Sequence, residues 1–190
     1  MVKVLATPPG LLQMPEMAAQ NPGSLRQQGQ MRQLVLLRHA KAVTAEDGGG
    51  DFERALAPEG REAASRVAAA LAKAGAAPEI VLVSDSRRTR ETWELAKPSF
   101  ATAEVKFLRS LYHAPAETLM QEAERAGGNA VMLVGHNPGL HDLASRLAHR
   151  NNALDIKLRS KFPTAAGAIF TRQDKKSSWK LQDFVAPKDL

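Results

Sequence analysis

Leu34-Val35-Leu36-Leu37-Arg38-His39-Ala40 is the stretch that decides the fold: four apolar residues, then an abrupt change to charged ones. Two other runs share this build. Ile80-Val81-Leu82-Val83 leads into Ser84-Asp85-Ser86-Arg87-Arg88-Thr89-Arg90, and Val131-Met132-Leu133-Val134 into Gly135-His136-Asn137-Pro138-Gly139-Leu140. Short apolar runs bounded by polar residues read as strands buried on both faces, the habit of parallel sheets. Helical patterns lie between them: about 58–73, closed by Gly75, then near 87–97, 116–126 with Gly127-Gly128 behind it, and 138–149 ending before Asn151-Asn152. Asn137 can cap the last helix, and Pro138 suits its first position. A short strand fits 104–107, and 166–171 with 178–185 fit a hairpin. Ile156-Lys157-Leu158-Arg159 alternates like a strand with one charged face. Such alternation predicts a single three-layer α/β/α domain with a mostly parallel central sheet. At 190 residues the chain suits one core, and it shows no internal repeat.

Residues 1–30 differ. They hold Pro8, Pro9, Pro15 and Pro22 with three glycines and sustain no periodicity, so they read as an N-terminal extension before a domain over 31–190. They lack the charged start and continuous apolar segment of a signal peptide. Met31 is a possible true start.

Composition narrows the chemistry. With no cysteine, disulfides and thiolate catalysis are excluded, which fits the cytoplasm. No apolar run reaches the roughly 20 residues that span a bilayer, so no membrane partner is expected. The histidines lack metal-ligand spacing, so neither a metal nor another cofactor is expected. The net charge is +6, and residues 151–190 carry eight Lys/Arg against four Asp. With only 5% aromatic residues there are few stacking platforms, which speaks against nucleic acid. That basic section is a solvated face or a dock for an acidic protein. The oligomeric state is not legible.

Three strand ends thus carry two histidines and several arginines, where the ligand crevice of an open α/β sheet opens. Histidine can be a nucleophile toward phosphorus, and arginine forks match phosphate oxygens. His39 is the nucleophile candidate. One ring nitrogen must be unprotonated, the other held as a donor. Arg38 can reach the same phosphate if the strand has ended there. Lys41 follows closely enough to touch it. His136, protonated, would donate to a phosphate oxygen. His113 can bind substrate or stand as a solvated loop residue. Arg90 reads as a surface residue pairing with Glu94, four positions on.

Arg38-His39-Ala40, Ser84 to Thr92 and Gly135-His136-Asn137 resemble the marks of the histidine phosphatase superfamily. Asp51-Phe52-Glu53-Arg54, Leu111-Tyr112-His113-Ala114, Phe162 to Ala166 and Phe184 to Leu190 resemble further segments of its compact branch, the SixA-type phosphohistidine phosphatases. The resemblance runs from Met31 to Leu190. It implies a metal-independent phosphatase with a phosphohistidine intermediate on His39, Arg88 as the phosphate-binding arginine, and a partner domain bearing phosphohistidine. It leaves the general acid open: His113 stands where relatives often carry glutamate, Glu117 follows on a helix, and Thr164 could position a loop near the pocket. Only 48 positions separate Arg88 from His136, too few for the inserted cap of phosphoglycerate mutases. Two rivals stand beside this reading: a phosphatase of small esters or anhydrides, and a non-catalytic phosphate-binding docking module.

Overall fold

A computed structural model of the protein describes residues 30–44, 50–149 and 153–190. The expected extension up to residue 29, Gly48-Gly49 of the glycine run and Asn151-Asn152 lie outside the described residues.

The three apolar runs are strands. With β1 at Gln33–Arg38, β2 at Ile80–Ser84, β3 at Glu104–Leu108, β4 at Ala130–Gly135, β5 at Gly167–Thr171 and β6 at Lys180–Val185, the sheet runs β3-β2-β4-β1-β5-β6. The first four neighbours are parallel, whereas β5 and β6 run antiparallel at one edge. Among the described residues the α-helices are α1 (Pro58–Lys73), α2 (Arg87–Ala96), α3 (Ala116–Ala126), α4 (Gly139–Leu147) and α5 (Ala153–Ser160).

Alternation along each strand divides the core into two halves. Val35, Leu37, Val81, Val83, Met132 and Val134 face α1 and α2 through Val67, Leu71 and Trp93. Their neighbours Leu34, Leu36, Ile80, Leu82, Val131 and Leu133 face α3, α4 and α5 through Leu119, Leu140, Leu143 and Leu158. The result is the three-layer α/β/α arrangement. Burying each such side chain contributes about 1.5–3 kcal/mol before the entropy of ordering it is subtracted.

One expected element is different. Ile156 to Arg159 belongs to α5, not to a strand. A strand would put Ile156 and Leu158 on one face, yet Ile156 is 61% exposed and Leu158 fully buried. The inward stripe is the buried Leu158 and the partly buried Leu154, four apart, which a helix aligns. Four alternating residues are too few to tell the two periods apart.

Strands β1, β2 and β4 lie side by side in the order β2-β4-β1, so the segments following them converge at one end of the sheet. Gly139 is required there. A Cβ on it would stand 1.9 Å from the Ala114 carbonyl oxygen, so its absence lets α4 dock against the turn that carries His113.

Candidate active site

The loop after β1 is fixed on every side by its backbone. His39 donates its N–H to the Gly135 carbonyl at 3.0 Å, and Arg38 donates to Ala166 at 2.9 Å. The Ala40 amide donates to Thr92 Oγ1 at 3.0 Å, and Ala165 donates to the His39 carbonyl at 3.0 Å. His39 is therefore held by β4, α2 and the segment before β5 at once.

Its ring is held as well. Nδ1 lies 2.8 Å from the Ala40 carbonyl oxygen. A carbonyl only accepts, so Nδ1 carries the proton and Nε2 keeps its lone pair. Burial, then the charges of Arg88, Arg38 and Arg54, push the His39 pKa down to about 4, against a smaller upward pull from the Ala40 hydrogen bond. The imidazole is neutral near pH 7.

Beside it, the centre of the His136 ring stands 5.1 Å from that of His39. Ser84 Oγ, at the end of β2, is 2.8 Å from His136 Nε2, and Arg88 Nη2 is 3.3 Å from Nδ1. A guanidinium has no acceptor, so Nδ1 accepts from Arg88 and Nε2–H donates to Ser84. Burial, with positive neighbours, pushes the His136 pKa down to about 2. In this arrangement the ring is neutral and accepts from Arg88.

Arg88 enters from the first turn of α2 and is 2% exposed. Its Nη1 donates to the Asp51 carbonyl, and its Nη2 reaches Asp51 Oδ2 at 2.9 Å. Arg38 Nη1 donates to the Phe162 carbonyl at 2.9 Å, as does the Asn137 side-chain amide. Buried Nε of Arg38 has no partner among the described residues, a free donor within the cluster.

The rim is built from turns. Asp51 Oδ2 accepts from Tyr112 Oη at 2.7 Å and from Arg88, with His113 Nε2 at 3.4 Å, while Oδ1 accepts from Arg54 at 2.9 Å. The Tyr112 hydrogen bond, then those from Arg54 and His113 and the charge of Arg88, hold the Asp51 carboxyl well below the usual carboxylate range. His113 stacks on His136, ring centres 5.0 Å apart and planes 15° apart.

His39, Arg38, Arg88, His136 and His113 therefore come together. Lys41 does not: its ammonium pairs with Glu59 at 2.7 Å, because the backbone at 41 docks on the start of α1 and carries the side chain that way. Arg90 pairs with Asp85 and covers the Phe107 ring, not Glu94, while Arg87 makes the four-residue pair with Glu91. Asn137 does not cap α4: the helix is preceded directly by Pro138, and the Asn137 side chain donates to the Phe162 carbonyl while its Oδ1 finds no backbone N–H to accept from among the described residues. Glu117 pairs with Arg146 on the surface, away from the cluster. Among the described residues no hydrogen bond joins Thr164 to the cluster; Phe162, two residues before it, reaches the cluster through its carbonyl. Sequence reasoning assigned no role to Asp51, Tyr112 or Ser84. The signal that could have found Ser84 is its place at the end of β2, level with the two histidines.

Residues 34–112 match the sequence model of the histidine phosphatase superfamily (branch 1). The candidate phosphohistidine phosphatase SixA of Agrobacterium tumefaciens superposes with a TM-score of 0.73 at 31% identity, over 83% of this chain and 99% of that one. The chain belongs to the histidine phosphatase superfamily, on its SixA-type branch. A protein histidine phosphatase SixA complexed with tungstate shares the fold, with a TM-score of 0.64 at 22% identity over 83% of this chain and 98% of that one. A chloroplastic protein of Arabidopsis thaliana is 29% identical over 171 residues, 82% of this chain and 78% of its own length. In this chain the Arg38-His39 and Gly135-His136 segments sit at the ends of adjacent parallel strands, β1 and β4. No helix among the described residues is long and apolar enough to cross a membrane.

Proposed function

We propose that this histidine phosphatase removes phosphoryl groups from phosphohistidine on a partner protein, through a covalent intermediate on His39. One observation carries the reading. His39 presents a neutral imidazole whose Nδ1–H is tied to the Ala40 carbonyl, beside His136 and in the field of two arginines. A nucleophile toward phosphorus needs that lone pair, that fixed tautomer and that surrounding positive charge.

The phosphoryl group binds between His39 and His136, taking donors from Arg88 and from Arg38 Nε. Its negative charge favours a proton on His136 Nδ1, which then donates to a phosphoryl oxygen as charge builds. His39 Nε2 attacks phosphorus. The bond to the substrate nitrogen breaks, and its electron pair leaves with the substrate imidazole. Water then attacks the phosphohistidine, the bond to Nε2 breaks, its pair returns to His39, and inorganic phosphate departs. The arginines supply the charge a metal would otherwise supply. A half-exposed rim at His113 and Asp51 leaves room for a phosphate carried on a protein surface. The lack of cysteine fits a reducing compartment such as the cytoplasm.

The test is a rapid quench of the enzyme with a phosphohistidine protein and, in parallel, small phosphate esters. Acid-labile phosphate on His39 is the expected result, with the protein substrate turned over faster. Label on another residue overturns the mechanism, and preference for a small ester overturns the substrate.

A further inference from the structure

Resting on the reading above, we propose that His113 is the proton carrier at the leaving group, with Asp51 as its positioning residue. The arrangement of the three imidazoles points to it. The buried His136 is in ring contact with both others, with the partly exposed His39 at 5.1 Å and with His113, the more open of the two, at 5.0 Å. Attack on phosphorus and departure of the leaving atom are roughly in line. With His39 attacking from the floor, the leaving atom exits toward the mouth, and the mouth is where His113 lies, its side chain 48% exposed. Its Nε2 faces the space occupied by Arg88 Nη2, at 3.5 Å, and Asp51 Oδ2, at 3.4 Å.

The backbone around His113 is arranged for this placement. Its φ is +52°, a left-handed conformation uncommon outside glycine, which costs energy and persists where surrounding structure imposes it. The imposing structure is at hand: Ala114 is packed against Gly139, and the Tyr112 ring meets the His113 ring edge-on at 4.4 Å.

The other groups facing this point cannot serve. Asp51 is ionised and spends its oxygens on Tyr112, Arg88 and Arg54. Tyr112, its pKa pushed up by burial and by Asp51, already donates its hydroxyl proton to that carboxylate. Arg88 does not release a proton. His136 faces the phosphoryl oxygens. Glu117, a carboxylate near in sequence, is held by Arg146 on the surface. His113 remains. In the first step its Nε2 proton passes to the leaving atom as the bond to phosphorus breaks. In the second, Nε2 takes a proton from the attacking water, which restores it. Asp51 Oδ2 sets the direction in which Nε2 points.

The experiment compares kcat/KM, which reports transfer to His39, for p-nitrophenyl phosphate and phenyl phosphate. Nitrophenolate leaves without a proton; phenolate needs one. His113→Ala should lower the phenyl phosphate value about 100-fold and the p-nitrophenyl value less than about threefold. Added imidazole should restore part of the phenyl phosphate loss. Asp51→Asn should show the same selectivity in weaker form. Inhibition of His113→Ala by vanadate should match wild type, showing the anion pocket intact. Equal losses on both substrates, no loss on either, or lost vanadate inhibition would overturn the role of His113 while leaving the phosphatase reading in place. A wild-type enzyme inactive on both, and on phosphohistidine protein, would sink both.

Discussion

His39 and His113 both contact His136, yet the chain holds them by different means. Around His39 the constraint is on the backbone: three main-chain hydrogen bonds and one from the Ala40 amide to the Thr92 hydroxyl fix residues 38–40 to β4, α2 and the approach to β5. His113 sits on an exposed turn, with a strained φ and a side chain aimed by one carboxylate. The floor is therefore preorganised by the sheet itself, while the rim depends on contacts between side chains from segments far apart in sequence. Loss of the nucleophile on the floor should remove chemistry outright, and loss of its supporting groups should lower the rate on every substrate; loss of a rim residue should change which leaving groups are accepted.

The sharpest way to break that contrast is His39→Ala. It should abolish turnover and the acid-labile label while the far-ultraviolet circular dichroism stays unchanged. Measurable turnover with label elsewhere would move the nucleophile off the floor.

Next in size is Arg88→Lys. Lysine offers a point charge where arginine offers two directed donors, so kcat/KM should fall by about 30- to 1000-fold, or roughly 2–4 kcal/mol. Arg90→Lys, measured on the same substrate, should cost little, because Arg90 is spent on Asp85 and Phe107. A reversal of the two would shift the site by two residues.

Ser84→Ala sharpens the comparison from within the floor. It removes the partner of His136 Nε2 and leaves a buried donor unpaired, with kcat/KM expected to fall about tenfold while the KM changes less. Lys41→Ala serves as its control outside the cluster: kcat/KM should stay near wild type, because the ammonium is spent on Glu59.

The smallest effect concerns pH. His39 and His136 have folded pKa values of about 4 and about 2, below the ordinary 6.5. Above that value both are neutral folded or unfolded, and their contribution to stability is complete. As pH falls from 6.5 toward 4 the unfolded chain binds more protons than the folded one, so stability is lost. The melting temperature should fall across this window, and His136→Asn should flatten the slope. An unchanged slope would show that His136 is not buried as a neutral ring.

The two regions also differ in how far they can be read from sequence. Leu34 to Leu37, Ile80 to Val83 and Val131 to Val134 announce buried strands because each is apolar on both faces. Arg38-His39 and His136, at or just past the strand ends, and Arg88, in the first turn of the helix after β2, inherit their place from the strand ends. Ile156 to Arg159 misled because its four residues fit two periods, and the helix was chosen by burial of Leu154 and Leu158 against the sheet.

By itself, then, the sequence determined the layered α/β fold and the strand ends where His39 and His136 stand, through local patterns of apolar periodicity, while the part expected of Arg88 came from the family resemblance. Tertiary structure alone decided that Lys41 turns away to Glu59, that His136 is neutral between Ser84 and Arg88, and that Asp51 meets Tyr112 and His113 from more than sixty positions away. The physical reason is that a strand end is fixed by short-range pattern, whereas the direction and charge of a polar side chain are set by which partners the fold brings within hydrogen-bond reach, and those partners leave no mark in the residues next to it.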